Sequence, residues 1–350
     1  MLKKISIIFT LISLIVFTAC DKDFSLNGTY KRTPVIFGLI DQADSVHMIR
    51  ITRTYLGDGD NNEYAMIPDS NYFDQVDAKI VEYNNGNSTG RQWQLNDTVI
   101  TNKESGLFYG PEQIMYTFYA NNLVDEYTYK FVGIFDEGKY EADAETDLIH
   151  GVNYSGAWYD YYSDINMANA NSSTSNIYPK FKPVTKGGKN IALRKAKLEI
   201  NYRVIYGDGS TALKQIVWSK ENESDLNVLF NFNGEEFFQT IKNNIDTDAD
   251  VVGRQMIDVS AVTVMIDEDT KNYMDVSQPS SSISQSKPQF TNVNSETGAL
   301  GLFSARHTLR KTLPLSPSSI EELCTGQYTV GLGFCSTLDI HLTESWHCDN

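Results

Sequence analysis

A cysteine just behind an apolar leader, three more near the C-terminus, two acidic loops and a tyrosine cluster are the residues whose types and spacing could do chemistry in this 350-residue chain. That chemistry would be acylation, disulfide formation, calcium binding and aromatic contact with a ligand. Asp58, Asp60 and Asn62 have the alternate spacing of a calcium loop, and Asp69 stands where a twelfth-position carboxylate belongs. Glu63, however, fills the position that needs glycine, so a solvated acidic loop competes with the metal site. Asp246, Asp248 and Asp250 alternate likewise, without an acidic twelfth residue. The histidines form no HExxH pair, and no GxSxG, P-loop or GxGxxG run occurs. The chain is expected to be non-catalytic, with no cofactor and no metal. A serine–histidine–acid hydrolase without a motif is the minor alternative.

Cys20 closes a run from Ile5 to Ala19 that is almost wholly apolar and follows Lys3 and Lys4. This is the layout of a secretory signal. The run falls short of the ~20 residues a membrane-spanning helix needs, so residues 1–19 are expected to be cleaved. Phe17-Thr18-Ala19-Cys20 resembles a bacterial lipobox with Phe17 in place of the usual leucine, which makes Cys20 the acylated first residue of the mature chain. An ordinary signal with an incidental cysteine is the competing reading. The formal net charge is −16, and removing residues 1–19 with their two lysines leaves −18. A chain of that charge repels nucleic acid and anionic headgroups, so attachment to a membrane would come through acyl chains.

The three remaining cysteines are Cys324, Cys335 and Cys348, and export puts them in an oxidising compartment. Val330, Leu332 and Phe334 alternate with polar or glycine residues, as do Leu338, Ile340 and Leu342 with polar ones. A hairpin that keeps both apolar sets on one face sets Cys324 opposite Cys348, within disulfide reach, and leaves Cys335 at the tip as the odd thiol. A Cys324–Cys335 bridge competes with it and requires the chain to double back within about ten residues.

The elements behind these residues read as mostly β. Residues 20–32 form a lipidated tether. Residues 33–148 hold short strand candidates, among them Pro34–Ile40, Val46–Tyr55, Val76–Tyr83, Gln92–Ile100 and Gln113–Ala120, and suggest an Ig/fibronectin-like β-sandwich. Residues 149–190 break the pattern and read as an inter-domain connection. Residues 191–350 read as an α+β domain with an antiparallel sheet. Its clearest strand runs from Ala196 to Tyr206, Leu226–Phe232 alternates in the same way, and a helix spans 234–245 with Phe237, Phe238, Ile241 and Ile245 on one face. Ser318 to Glu321 fits a capping box opening a shorter helix. Tyr154, Trp158, Tyr159, Tyr161 and Tyr162 form the densest aromatic group, a candidate binding surface set against plain core packing.

With the lipobox, the runs Pro34–Ile40 and Asp44–Ile51, Ser105-Gly106-Leu107-Phe108-Tyr109 ahead of Tyr127–Phe131, and Thr291-Asn292-Val293 through Gly301–Arg306 resemble a family of Bacteroidota outer-membrane lipoproteins. Its members carry a domain of unknown function and are often encoded beside TonB-dependent receptors. Asp21-Lys22-Asp23 is similar to the signal that sends such lipoproteins to the cell surface, and Asp44-Ser45-Val46 and Asp97-Thr98-Val99 resemble the O-glycosylation motif of that phylum. The resemblance implies a fibronectin-like or carboxypeptidase-regulatory-like sandwich, no catalytic residues, and a TonB-dependent receptor as partner. The expected function is that of a membrane-anchored binding or accessory module on the periplasmic face or cell surface. A structural or adhesive surface protein is the alternative.

Overall fold

Period-two alternation dominates the chain, and it folds as a mostly β protein with an N-terminal sandwich and a C-terminal α+β region. The computed structural model describes residues 32–55, 60–101, 109–155, 162–169, 177–222, 227–246, 248–277, 289–296 and 298–337. Among them no helix is long and apolar enough to cross a membrane.

The N-terminal strands are β1 (Pro34–Asp41), β2 (Val46–Arg53), β3 (Val76–Asn84), β4 (Asn87–Gln94), β5 (Asn96–Ile100), β6 (Gln113–Tyr119), β7 (Thr128–Phe135) and β8 (Tyr140–Asp147). Two short helices, α1 (Asn61–Ala65) and α2 (Pro68–Asn71), lie between β2 and β3. One layer has the order β4-β3-β7-β8, and the other ends in β1-β2-β6-β5. The second layer follows the A-B-E-D order of an immunoglobulin sandwich, and the first is its C-F-G layer with one added edge strand, β4. The alternate apolar residues Ile36, Ile49, Phe118, Ile80 and Phe131 meet between the layers. The β3–β4 hairpin turns at Asn85 and Gly86 with φ of 48° and 78°, the left-handed pair that matches strand twist. Tyr129 closes the fold as a tyrosine corner. Its hydroxyl accepts from Val124 N at 2.7 Å and lies 2.9 Å from Glu82 Oε2. Glu82 is buried and also takes hydrogen bonds from Arg91 (2.9 Å) and Thr89 (2.8 Å).

The C-terminal part contains β9 (His150–Ser155), β10 (Lys180–Phe181), β11 (Val184–Lys189), β12 (Leu193–Tyr206), β13 (Thr211–Asn222), β14 (Asn227–Leu229), β15 (Phe232–Asn233), β16 (Val251–Ile266), β17 (Leu300–Leu313) and β18 (Phe334–Cys335). Its helices are α3 (Gly234–Asn244), α4 (Glu268–Ser277) and α5 (Pro317–Thr325). Residues 149–190, expected as an inter-domain connection, also supply three strands. The expected Leu226–Phe232 strand is instead two short pieces, β14 and β15. Asn233 caps α3 through hydrogen bonds from Glu235 N and Glu236 N, and Phe237, Phe238 and Ile241 seat it in the second core. The cap of α5 is Ser316, not Ser318, because Pro317 takes the first helical position.

One nine-stranded sheet joins both parts, in the order β13-β12-β16-β17-β1-β2-β6-β5, with β18 beside β16. Strand β17 pairs β1 in parallel from Leu300 to Arg306 and β16 antiparallel from Arg306 to Leu313. Among the described residues each half of β17 therefore has one edge without a strand partner, and side chains take the strand's place. Asn292 accepts from Phe303 N at 3.0 Å and donates to Phe303 O at 2.8 Å. Asp267 Oδ2 accepts from Ala305 N at 3.3 Å, and Asp41 Oδ1 from Thr308 N at 3.3 Å. A buried ladder group left unpaired would cost about 1–3 kcal/mol, so these side chains fix where the sheet changes partner.

The cysteine pairing differs from expectation. Cys324 is a free thiol buried in α5, and Cys335, expected as the odd thiol, is disulfide-bonded. Cys20 and Cys348 lie outside the described residues. Val330 and Leu332 sit in turns rather than a strand, and Phe334–Cys335 pairs in parallel with Arg254–Gln255. Cys324 lies in a helix and is free, so the expected Cys324–Cys348 bridge is absent, while Leu338–Leu342, the other arm of the expected hairpin, lies outside the described residues.

Candidate functional site

A crevice of about 700 Å³ opens where the sandwich meets the start of α4. One wall is the exposed side of β7 and β8, where the alternation that buries Phe131 and Ala144 turns Thr128, Lys130, Glu145 and Asp147 outward. The β3–β4 turn adds Tyr83 and Gly86, and the opposite wall is Asp267, Glu268, Asp269 and Asn292. Thr128 Oγ1 donates to Asp147 Oδ1 at 2.6 Å, and Asn190 Nδ2 donates to Asp147 O at 2.6 Å. Asp267 Oδ1 accepts from Thr270 N at 2.9 Å, capping α4, while Ser304 Oγ donates to Oδ2. Asp269 Oδ2 accepts from Asn292 Nδ2 at 2.8 Å.

Among the described residues five carboxylates line this space against one ammonium, Lys130, a field that disfavours anions. A hydrogen bond to Asp143, 2.8 Å away, raises the Lys130 pKa and keeps the amine charged. The lining offers fixed acceptors, a few amide and hydroxyl donors, and the edge of one phenol ring. Among the described residues it contains neither histidine nor cysteine, and it suits binding of a polar ligand of neutral or positive charge. Asn190, Asp267 and Asn292 come from three distant segments and carry no motif, so spacing could not have revealed them.

The sites expected from sequence fare differently. Asp60 is the N-cap of α1 and accepts from Asn62 N at 2.8 Å, which spends it on the helix. Asp69 lies in the first turn of α2, its backbone carbonyl taking a hydrogen bond from Arg53, and Asp58 is outside the described residues. Among the described residues no group of three histidine, cysteine or acidic side chains could hold a metal ion. Asp248 Oδ1 likewise caps its own turn, at 3.0 Å from Asp250 N. Tyr154 is buried and takes no part in a binding surface. Its hydroxyl reaches Leu309 O at 2.7 Å and Ala261 O at 3.1 Å, tying β9 to β17 and β16. Tyr162 is exposed, while Trp158, Tyr159 and Tyr161 lie outside the described residues.

No family model matches the chain, and no curated protein matches it.

Two buried charge clusters lie elsewhere. Glu199, on β12, is held by Arg310 and by Lys197 at 2.7 Å. Burial pushes its pKa up, but the hydrogen bonds from Arg310 and Lys197 outweigh that and hold it below the ordinary range. Asp41, at the end of β1, is fully buried. Burial raises its pKa, yet the imidazole of His307, its Nδ1 3.6 Å away, and hydrogen bonds from Thr308 and Ala43 bring it below normal. Both clusters join strands and line no cavity described above. Arg194 is the opposite case, a fully buried guanidinium bonded to Thr185 Oγ1 (2.9 Å) and Gly187 O (2.6 Å), with no carboxylate paired to it among the described residues.

Proposed function

We propose that this chain is a membrane-anchored, non-catalytic binding module whose ligand enters the crevice between β8 and the start of α4. The observation that carries the reading is the crevice itself. It is polar, net acidic, and built on strands and a helix start that hydrogen bonds hold in place. Anchoring rests on the leader and Cys20. A role beside an outer-membrane TonB-dependent receptor rests on the sequence resemblance alone. The test is binding of neutral oligosaccharides and basic peptides to the mature protein, compared with Glu145→Lys and Glu268→Lys. Loss of binding in both variants with unchanged thermal stability supports the crevice, and unaltered binding refutes it. Cys20→Ser is expected to abolish labelling by a fatty-acid analogue.

The second reading, a structural or adhesive surface protein, draws on a different feature. Val46, Met48 and Tyr119 stand exposed on the outer face of β2 and β6, with Val46 directly across from Tyr119. Gene disruption separates the two readings. Lost uptake of a nutrient favours the accessory role, and lost attachment favours the adhesive one.

A further inference from the structure

Strand β13 is the outermost member of the nine-stranded sheet, and among the described residues no strand pairs with its free edge. It runs for 12 residues and pairs with β12 without a bulge. The hairpin turn shows which backbone groups point to that edge. Tyr206 N donates to Ser210 O and Gly209 N to Tyr206 O, both at 2.9 Å. Tyr206 and Ser210 are thus a hydrogen-bonded pair, and such pairs alternate along an antiparallel ladder. Ala212, Lys214, Ile216 and Trp218 therefore give their N–H and C=O groups to β12, while Leu213, Gln215, Val217 and Ser219 aim theirs outward. Ile216 is in the second core with Trp218 packed against it, so the outward-bonding residues share the opposite face, where all four are exposed.

Folds ordinarily blunt a free edge with a bulge, a short strand, charge or a covering segment. The sandwich layers do so here. Strand β4 shifts register against β3 between Val81 and Tyr83 and carries Gly90 at a φ of 83°. Strand β5 has five residues. Asn294 covers β8 by exchanging two backbone hydrogen bonds with Asp143, at 2.9 and 2.7 Å. From Thr211 to Ser219, β13 has no bulge, no proline and no acidic residue, and Lys214 is its one charged side chain. On a chain of formal charge −16, an edge free of carboxylates is where a second copy meets least repulsion.

We propose that two copies of this chain pair through β13, antiparallel about a two-fold axis at Gln215. That register sets Leu213 of each copy across from Val217 of the other, and these side chains are 74% and 49% exposed. Thr211 meets Ser219 on the same face. On the core-side face Lys214 meets Ile216 and Ala212 meets Trp218. Moving the axis to Ile216 sets Leu213 against Ser219 and splits the apolar pair. Moving it to Val217 sets Lys214 against Lys220, like charges directly opposite. The pairing uses the same strand on both copies, so it closes at two. It adds about ten main-chain hydrogen bonds and little side-chain area, which suits a dissociation constant of about 1–100 μM.

The experiment is sedimentation of the chain from residue 20 onward, from about 1 to 500 μM, with Cys20→Ser so that acyl chains do not drive association. This parent is expected to pass from monomer to dimer. Gln215→Pro should remain monomeric and keep its melting temperature, because the N–H it removes points to the edge and not to β12. Leu213→Lys and Val217→Glu should each weaken the dimer about tenfold, since each change counts twice across the axis. The double variant Leu213→Lys/Val217→Glu should recover most of that loss, because the register faces each new lysine with a new glutamate. A parent that stays monomeric throughout, a folded Gln215→Pro protein that still dimerises, or a double variant no tighter than the singles overturns the proposal.

Discussion

Replacing Tyr129 by phenylalanine removes one oxygen atom from the sandwich and leaves the ring where it is. In the native protein the hydroxyl accepts from Val124 N at 2.7 Å and faces Glu82 Oε2 at 2.9 Å, with Val124 O farther off at 3.3 Å. Its single proton goes to the carboxylate, the nearer and charged acceptor. The variant thus loses one neutral bond of about 1 kcal/mol and one carboxylate bond of about 1.5–3 kcal/mol. Glu82 keeps Arg91 and Thr89, so it is not stranded and adds no further penalty, and the expected loss is about 2.5–4 kcal/mol. Urea unfolding should show this as a lower midpoint at unchanged slope. A double-mutant cycle with Glu82→Gln should give a coupling of about 1 kcal/mol. A loss below about 1 kcal/mol, or no coupling, would refute the view that the hydroxyl holds the corner to strand β3.

Arg194→Met should be neutral or stabilising by up to about 2 kcal/mol in chemical denaturation, because it removes a buried charge that lacks a counter-ion; a loss above about 3 kcal/mol would mean the two hydrogen bonds outweigh desolvation. Glu199 has a depressed pKa in the folded protein, so its contribution is present above the unfolded value and fades as pH falls through the folded one. Glu199→Gln should therefore show a flatter loss of stability below about pH 4.5 than wild type in melts taken at successive pH values. Cys324, whose pKa burial pushes up to about 12, should resist iodoacetamide at pH 8 in the native protein and react on unfolding.

Much of this fold could be read from alternation. Ala196–Tyr206 and Gly234–Ile245 show their periods plainly because each packs one apolar face on a core. Strand β17 was legible only in its first half. Ala299–Ala305 is apolar, whereas Arg306, His307, Arg310 and Lys311 belong to a strand whose polar residues answer charges on its neighbours. The crevice was not legible at all, since its walls come from chain positions near 83, 128, 146, 190, 268 and 292 that only the sheet order brings together. Cys335 was misassigned because register arguments consider the nearest partner in sequence, and its strand pairs some eighty residues away.

Strand β17 has a consequence for how the chain is made. Phe303 and Ala305 sit in the sandwich core with residues from Ile36 onward, so the first-synthesised layer lacks a member until nearly the last part of the chain appears. A fragment ending near residue 155 would expose the edge of β1 and the space Phe303 fills. Such long-range parallel pairing makes folding slow and leaves that edge open to wrong partners meanwhile. The sandwich is thus completed only by the far end of the chain, and a nascent or truncated N-terminal half would leave that edge uncovered rather than stand as a finished module.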